Sequence, residues 1–316
     1  MANSFKNLLC VLGSCSHGAV IIWKTSPFRR NGLYHGVQNR RRDSPVRLLI
    51  GTFAFINIGL ATTVQPLAGV AETLVPHRAV YDLELEDATE RSGIDAMYGR
   101  MVYEFNGSAC SGFTVGFRFV TQLHSGETVR LTDQQTTTYE NLEDRTFRFL
   151  TKSFVDENLD IEVRGTAKAD ADSTSVDLTI PETAQLTLEK AQFPTEQMIS
   201  LIENAKNGER FFQSHLFDGS DGGNKVMLTT SVVGSPSVGD SQDSEVSAAA
   251  NFAELPAWPV TIAYFDESKK EDETPIYRIS FKLYENGITR NLVMDYGEFA
   301  LKGTLASLET FEGEDC

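Results

Sequence analysis

No catalytic set can be assembled from local spacing in this chain. Five histidines occur in 316 residues, and only His77, His124 and His215 lie beyond residue 71. None sits in a zinc-binding H-E-x-x-H spacing, and neither a G-x-S-x-G nucleophile elbow nor a phosphate loop is present. A hydrolase needs a nucleophile, a base and a group that orients the base. Forty-four acidic residues contain many accidental carboxylate pairs, so their presence discriminates nothing. Positive charge is also scarce. Residues 1–71 hold eight of the 28 basic and one of the 44 acidic residues, leaving 20 basic and 43 acidic beyond them, a net charge of −23. Nucleic acid is thereby excluded as a partner, because phosphate binding needs clustered cations. Unassisted docking on anionic lipid is disfavoured for the same reason. The acidity is read as a solubility feature.

Long hydrophobic runs are missing too. The longest apolar stretch, Leu48–Ala61, is interrupted by Thr52, Asn57 and two glycines. A membrane-spanning helix needs about 20 apolar residues. Arg40, Arg41, Arg42 and Arg47 precede this stretch, and the small residues Ala68, Gly69 and Ala71 follow it. Basic region, short apolar region and small-residue site make an export signal, with cleavage expected after Ala71. The arginines lack the hydrophobic residue directly after them that a twin-arginine signal carries, so the Sec route to the periplasm is expected. Residues 1–36 fit no signal pattern and read as an extension from a start codon placed too early, with Val37 as a possible initiator. A rival reading takes Leu12-Gly13-Ser14-Cys15 as a lipobox with Cys15 lipidated. The expected organisation is an export region over 1–71 and one periplasmic domain over 72–316, with no integral membrane segment in the mature form.

Cysteine is sparse. Cys10 and Cys15 lie upstream of the signal, leaving Cys110 and Cys316 in the exported part. Two thiols in an oxidising compartment read most simply as one disulfide. Cys110 as a nucleophile is the weaker reading.

What the chain does have is alternation. Phe113, Val115, Phe117 and Phe119 share one parity; Phe147 and Phe149, Val260, Ile262 and Tyr264, and Tyr277, Ile279, Phe281 and Leu283 repeat the pattern. Period-two alternation predicts antiparallel strands with one packed face and one wet face. Turn signals at Asn106-Gly107, Ser125-Gly126, Asp218 to Gly223 and Asn286-Gly287 separate the runs. At Asn286-Gly287 both positions are expected to take positive φ in a hairpin. A dozen or more short strands in a mainly all-β domain follow. One helix is predicted over about 194–207, where Met198, Leu201, Ile202 and Ala205 form a stripe that opens after Phe193-Pro194 and stops at Asn207-Gly208. It is expected to pack on the sheet or on the mouth of a barrel. Residues 234–254 read as a mobile loop inside the domain. Asp218-Gly219-Ser220-Asp221-Gly222 has a faint calcium-loop look, but position 229 is Thr where a bidentate Glu belongs, so a glycine-rich hairpin turn is expected and no metal. Residues 269–273 read as a solvated loop tip. Phe117–Thr121 and Phe147–Thr151 resemble each other, as strands in similar environments do.

Several segments resemble a known family: Val75–Tyr81, Gly99–Phe105, Gly107-Ser108-Ala109-Cys110, Phe117–Thr121, Phe193-Pro194-Thr195, Tyr264-Phe265-Asp266 and Leu283–Gly287. In order and spacing they are similar to the EipB family of periplasmic cell envelope integrity proteins of alphaproteobacteria. The resemblance implies a long antiparallel sheet coiled into an open, barrel-like β-spiral with one main helix, and a disulfide between Cys110 and Cys316 that would fasten the outer end of the spiral. It implies a role in envelope integrity and envelope-stress resistance, a link to a periplasmic tetratricopeptide-repeat protein, no cofactor and no catalytic residues. Three functions follow as expectations. The first is a non-catalytic factor holding a lipid, a lipoprotein or a partner segment in its cup. The second is a scaffold that docks other envelope proteins, and the third is a hydrolase of envelope polymer.

Overall fold

The computed structural model describes residues 68–71, 73–239, 243–249, 252–268 and 274–314. Residues 1–67, which hold most of the expected export region with Cys10 and Cys15, residues 269–273, expected as a loop tip, and Cys316 lie outside the described residues.

Fourteen strands form one antiparallel sheet. They are β1 (His77–Ala88), β2 (Ala96–Ser108), β3 (Gly112–Ser125), β4 (Thr128–Asn141), β5 (Thr146–Val155), β6 (Asn158–Ala169), β7 (Ser173–Ile180), β8 (Ala184–Glu189), β9 (Phe211–Leu216), β10 (Met227–Val233), β11 (Trp258–Phe265), β12 (Tyr277–Leu283), β13 (Thr289–Asp295) and β14 (Phe299–Thr310). Among the described residues three α-helices accompany them: α1 (Ala68–Ala71), α2 (Pro194–Lys206) and α3 (Val246–Ala249). The sheet order is β8-β7-β6-β5-β4-β3-β2-β1-β14-β13-β12-β11-β10-β9. Every ladder is antiparallel, as short turns between sequential strands require.

This order corrects one expectation. The last strand is not an outer end that could peel away. β1 and β14 pair along almost their whole length, from His77 opposite Thr310 to Ala88 opposite Phe299, so the first and last strands lie mid-sheet. The outer strands are β8 and β9, from the middle of the chain. They share no ladder, and the sheet is not closed. A single parallel bridge ties the two margins: Gln192 N–H donates to His215 O at 2.8 Å, and Phe217 N–H donates to Gln192 O at 2.9 Å.

Alternation places the expected faces. Ala79, Tyr81 and Leu83 of β1, Phe113, Phe117 and Phe119 of β3, Phe147 and Phe149 of β5, and Val260 and Ile262 of β11 are buried on the inner face. The intervening positions carry exposed ion pairs such as Arg100–Asp82 at 2.7 Å and Arg118–Asp133 at 2.8 Å. Such pairs contribute at most about 1 kcal/mol each. Tyr81 reaches across the interior, its hydroxyl donating to Thr289 O at 2.7 Å. A second core cluster holds Phe147, Phe149, Phe193 and Phe217, with ring centroids 5.1–6.3 Å apart in stacked and edge-on contacts. The segments 117–121 and 147–151 lie on β3 and β5, and both put phenylalanine inward and arginine outward.

Helix α2 links the sheet margins in sequence, running from the end of β8 toward β9. It matches the expected span, with Asn207 as its C-cap. Its buried residues extend beyond the anticipated stripe to Thr195, Gln197 and Ile199, so it is enclosed on more than one side. Phe193 at the N-cap offers no capping oxygen. Glu140 of β4 supplies it instead: Thr195 N–H donates to Oε2 at 2.7 Å and Glu196 N–H to Oε1 at 2.8 Å. A carboxylate satisfying the first orphan amides of a helix also complements its dipole. Val70 and Ala71 of α1 are buried in the main core, so the expected cleavage point falls at a packed residue.

Three turns differ from expectation. Asn106-Gly107 lies inside β2, and the chain reverses at 109–111, which puts Cys110 at the hairpin tip. Of Asn286-Gly287, only Gly287 takes positive φ (85°), because the loop between β12 and β13 spans more than two residues. The loop after β9 joins an antiparallel pair as anticipated, but it folds inward. Gly219 (φ 71°) packs so closely that an added Cβ would meet Phe149 at 2.5 Å.

Residues 234–254 are also corrected, since their described part is docked. Ser237 and Ala257 exchange backbone hydrogen bonds at 3.0 Å, and α3 packs on β14. Glu245, 3% exposed, inserts where β13 and β14 separate beyond Leu292–Gly303. Its two oxygens accept Asn291 N–H and Leu305 N–H, both at 2.6 Å, in place of a ladder partner. The low-complexity composition hid this, because the anchoring groups are the charged side chains Asp243 and Glu245. Asp243 pairs with the fully buried Arg290, whose Nε donates to the Tyr284 hydroxyl at 2.8 Å.

Candidate functional site

The concave face of the sheet and α2 enclose two adjoining cavities of about 200 and 130 Å³. The larger is walled by apolar side chains from many strands, including Met101, Phe105, Phe117, Phe119, Ile262, Phe281 and Met294, and by Pro194, Met198 and Leu201 of α2. The helix therefore packs as expected and also forms a wall of the cup. The smaller cavity runs along β4 to the loop after β9, against Thr136, Thr138, Thr151 and the 218–222 segment. Tyr103, Val115, Phe117, Gln134, Pro194 and Asp218 line both.

The polar wall comes from β4. Its inner face reads Thr132, Gln134, Thr136, Thr138 and Glu140, where the facing positions of β3 are mostly large and apolar. Thr132 pairs with the Thr121 hydroxyl at 2.7 Å, and Thr136 with the Thr151 hydroxyl at 3.0 Å. Gln134 lies opposite Phe119 of β3, is 6% exposed, and its side-chain amide makes no hydrogen bond among the described residues. Its amide atoms are reachable from the cavities, where a ligand group or water can pair them.

Two ionisable neighbours are held neutral. His77, buried in the larger cavity's wall, has Nδ1 2.7 Å from Val75 O, and burial lowers its pKa. With the proton on Nδ1, Nε2 is left as an acceptor. Burial, and secondarily the charge of Glu140, raises the Tyr103 hydroxyl well above the ordinary range. Glu140 is itself raised to about 7, because burial outweighs the amides of Thr195 and Glu196 that favour its charged form. Among the described residues no Lys or Arg lines either cavity. The charged liners are Asp218 and Asp221, the latter 2.7 Å from Lys225.

The histidines do not form a catalytic set among the described residues. His124 meets the Tyr98 hydroxyl at 2.9 Å on the outer face. His215 of β9 lies 3.0 Å from Glu267 and 3.7 Å from Glu189 of β8, all three more than a third exposed, as a polar seam where the sheet margins meet. Cys110 is disulfide-bonded. Its partner is not among the described residues, but the C-terminal segment passes beside it. Phe311 N–H donates to Pro76 O at 2.9 Å, and Ser111 Oγ donates to Glu314 Oε2 at 2.7 Å. Trp258 sits in the core, on the inner face of β11, outside the cavity lining.

Neither His77, Tyr103 nor Gln134 stood out in the sequence as a site residue. One signal was available for the last: over 132–140, β4 is polar at both parities, unlike the alternating strands around it.

A family model described as EipB-like matches residues 68–312. The cell envelope integrity protein EipB of Brucella abortus (strain 2308) is 48% identical over 263 residues, covering 83% of this chain and 92% of the relative. The crystal structure of a beta-barrel-like protein of domain of unknown function DUF1849 from Brucella abortus superimposes with a TM-score of 0.73 at 50% identity, covering 76% of this chain and 99% of that one. The anticipated resemblance, the mostly antiparallel open sheet and the matched span agree, and the chain belongs to the EipB-like family.

Proposed function

We propose that this protein is a non-catalytic periplasmic factor, exported by the Sec route, that supports cell envelope integrity and resistance to envelope stress by holding the apolar part of a lipid, a lipoprotein or a partner segment in its cup. The cavity carries this reading. It is concave, mostly apolar and furnished with a few convergent polar groups, the usual make-up of a ligand site. The name of the Brucella relative supports the envelope role, and the engaged state of the histidines supports a non-catalytic one. Native mass spectrometry of protein purified from its own periplasm tests the cup, with a retained amphiphile or acyl peptide expected. Phe117→Arg, which would put a charge into the larger cavity, should remove that ligand and fail to restore envelope-stress resistance in a strain lacking the gene. Full restoration by a folded Phe117→Arg protein would sink the cup reading.

A scaffold role has one observation in its favour. β9 is an outer strand, and Phe211 on it is 62% exposed opposite Val232, 49% exposed. An exposed apolar pair at the Phe211 end of an edge strand, away from the bridge at Leu216, suits strand addition by a protein partner, such as a periplasmic tetratricopeptide-repeat protein. Crosslinking from position 211 in intact cells, with Phe211→Lys as the control, separates the two readings.

A further inference from the structure

Resting on the cup reading above, we infer that the ligand is a single-chain amphiphile with an uncharged head bearing hydroxyl or amide groups, and that the side-chain amide of Gln134 reads that head at the junction of the two cavities.

Three observations converge. Gln134 lines both cavities, is 6% exposed, and has an amide without a partner among the described residues. Its neighbours on the same face, Thr132 and Thr136, are paired across to Thr121 and Thr151, so the strand satisfies its hydroxyls and leaves the amide facing the cavity. An amide offers two donors and an acceptor, which suits a diol, an amide or an ester and discriminates poorly among ions.

Charge narrows the head further. Among the described residues no Lys or Arg lines the cavities and burial lowers the pKa of His77, so an anionic head beside the carboxylates of Asp218 and Asp221 would find no cation in the described lining. The Asp221 carboxylate already has Lys225, and Asp218 Oδ1 accepts Ser220 N–H at 2.9 Å, so among the described residues the two carboxylates are not arranged as a cation site. The apolar arm of about 200 Å³ takes the chain, and the threonine-walled arm of about 130 Å³ takes the head. A site built to hydrogen-bond a neutral group rejects analogues that lack it, because its own polar group is then left unpaired.

The test is titration calorimetry of the delipidated full chain with three twelve-carbon probes below their micelle concentrations: monolauroylglycerol, laurate and dodecyltrimethylammonium. Monolauroylglycerol should bind at least about tenfold tighter than either ion, and Gln134→Leu should weaken it by about tenfold, the worth of one to two hydrogen bonds. The same substitution should change laurate binding less than about twofold, since no bond to that head is lost. Thermal melting of Gln134→Leu should match or exceed that of the wild type, because an unpaired amide is replaced by an apolar group of similar size. Equal affinity for laurate, tighter binding of the cation, or an unchanged monolauroylglycerol affinity in Gln134→Leu would overturn the head assignment and leave the cup reading standing. A fall of several degrees in the variant's melting temperature would show the amide to be structural and overturn it as well. Failure of all three probes to bind would overturn the cup reading itself.

Discussion

The hydroxyl of Ser111 donates to Oε2 of Glu314 at 2.7 Å, across 203 positions of sequence. This contact fixes a point two residues before Cys316 beside the residue that follows Cys110. Two residues reach about 7 Å, and disulfide-bonded Cα atoms lie within that distance. We therefore propose Cys316 as the partner of the bonded Cys110. Because β14 is central, the bond would not restrain an outer end; it would tie the tip of the β2–β3 hairpin to the tail that leaves β14.

Under the chain-entropy model a disulfide closing so long a loop stabilises by roughly 5 kcal/mol, as an upper value. Cys316→Ser should lower the melting temperature by several degrees under oxidising conditions and abolish the effect of added reductant. Melting at the same temperature as the oxidised wild type would exclude the pairing.

Glu140 makes stability depend on pH. Its pKa is about 7 in the folded protein against 4.5 for the ordinary group, so between these values the folded state binds more protons than the unfolded state. Stability contributed at this position is present below pH 4.5 and is lost as pH rises toward 7. The loss is at most about 3 kcal/mol from the shift. Glu140→Gln cannot titrate, so its unfolding free energy, followed by urea denaturation from pH 4.5 to 7.5, should fall less steeply than that of the wild type. Parallel curves would show that Glu140 is ionised throughout.

Glu245 stands in for a missing stretch of ladder. Glu245→Ala would leave Asn291 N–H and Leu305 N–H without partners where β13 and β14 separate. With about 1–3 kcal/mol for each of the two buried unpaired groups, a loss of about 2–6 kcal/mol is expected. Hydrogen exchange should localise the effect to residues 291 and 305. Wild-type protection there in the variant would show that water or a shifted strand replaces the carboxylate.

Much of the architecture was legible because period-two alternation reports a half-buried strand directly. Phe113–Phe119, Phe147–Phe149 and Tyr277–Leu283 declared their faces, and Pro194 with Asn207 bracketed the helix. The turns were less legible. Asn106-Gly107 has the composition of a turn, yet it was absorbed into β2 when pairing with β3 continued to Ser108–Gly112. The docking of 234–254 was hidden because its anchors, Asp243 and Glu245, look in sequence like solvated acids, and only their partners Arg290, Asn291 and Leu305 make them buried ones.

The amino-acid sequence by itself determined an antiparallel all-β class, the span of the helix and the lack of a catalytic motif at local spacing. Each is a property of composition or short-range periodicity. The tertiary structure alone decided that β1 meets β14, that the free margins come from mid-chain, that Glu140 caps α2, and that Gln134 is left unpaired between two cavities. These depend on which strands become neighbours and in what register, and a one-residue shift in register would turn every one of those side chains to the other face.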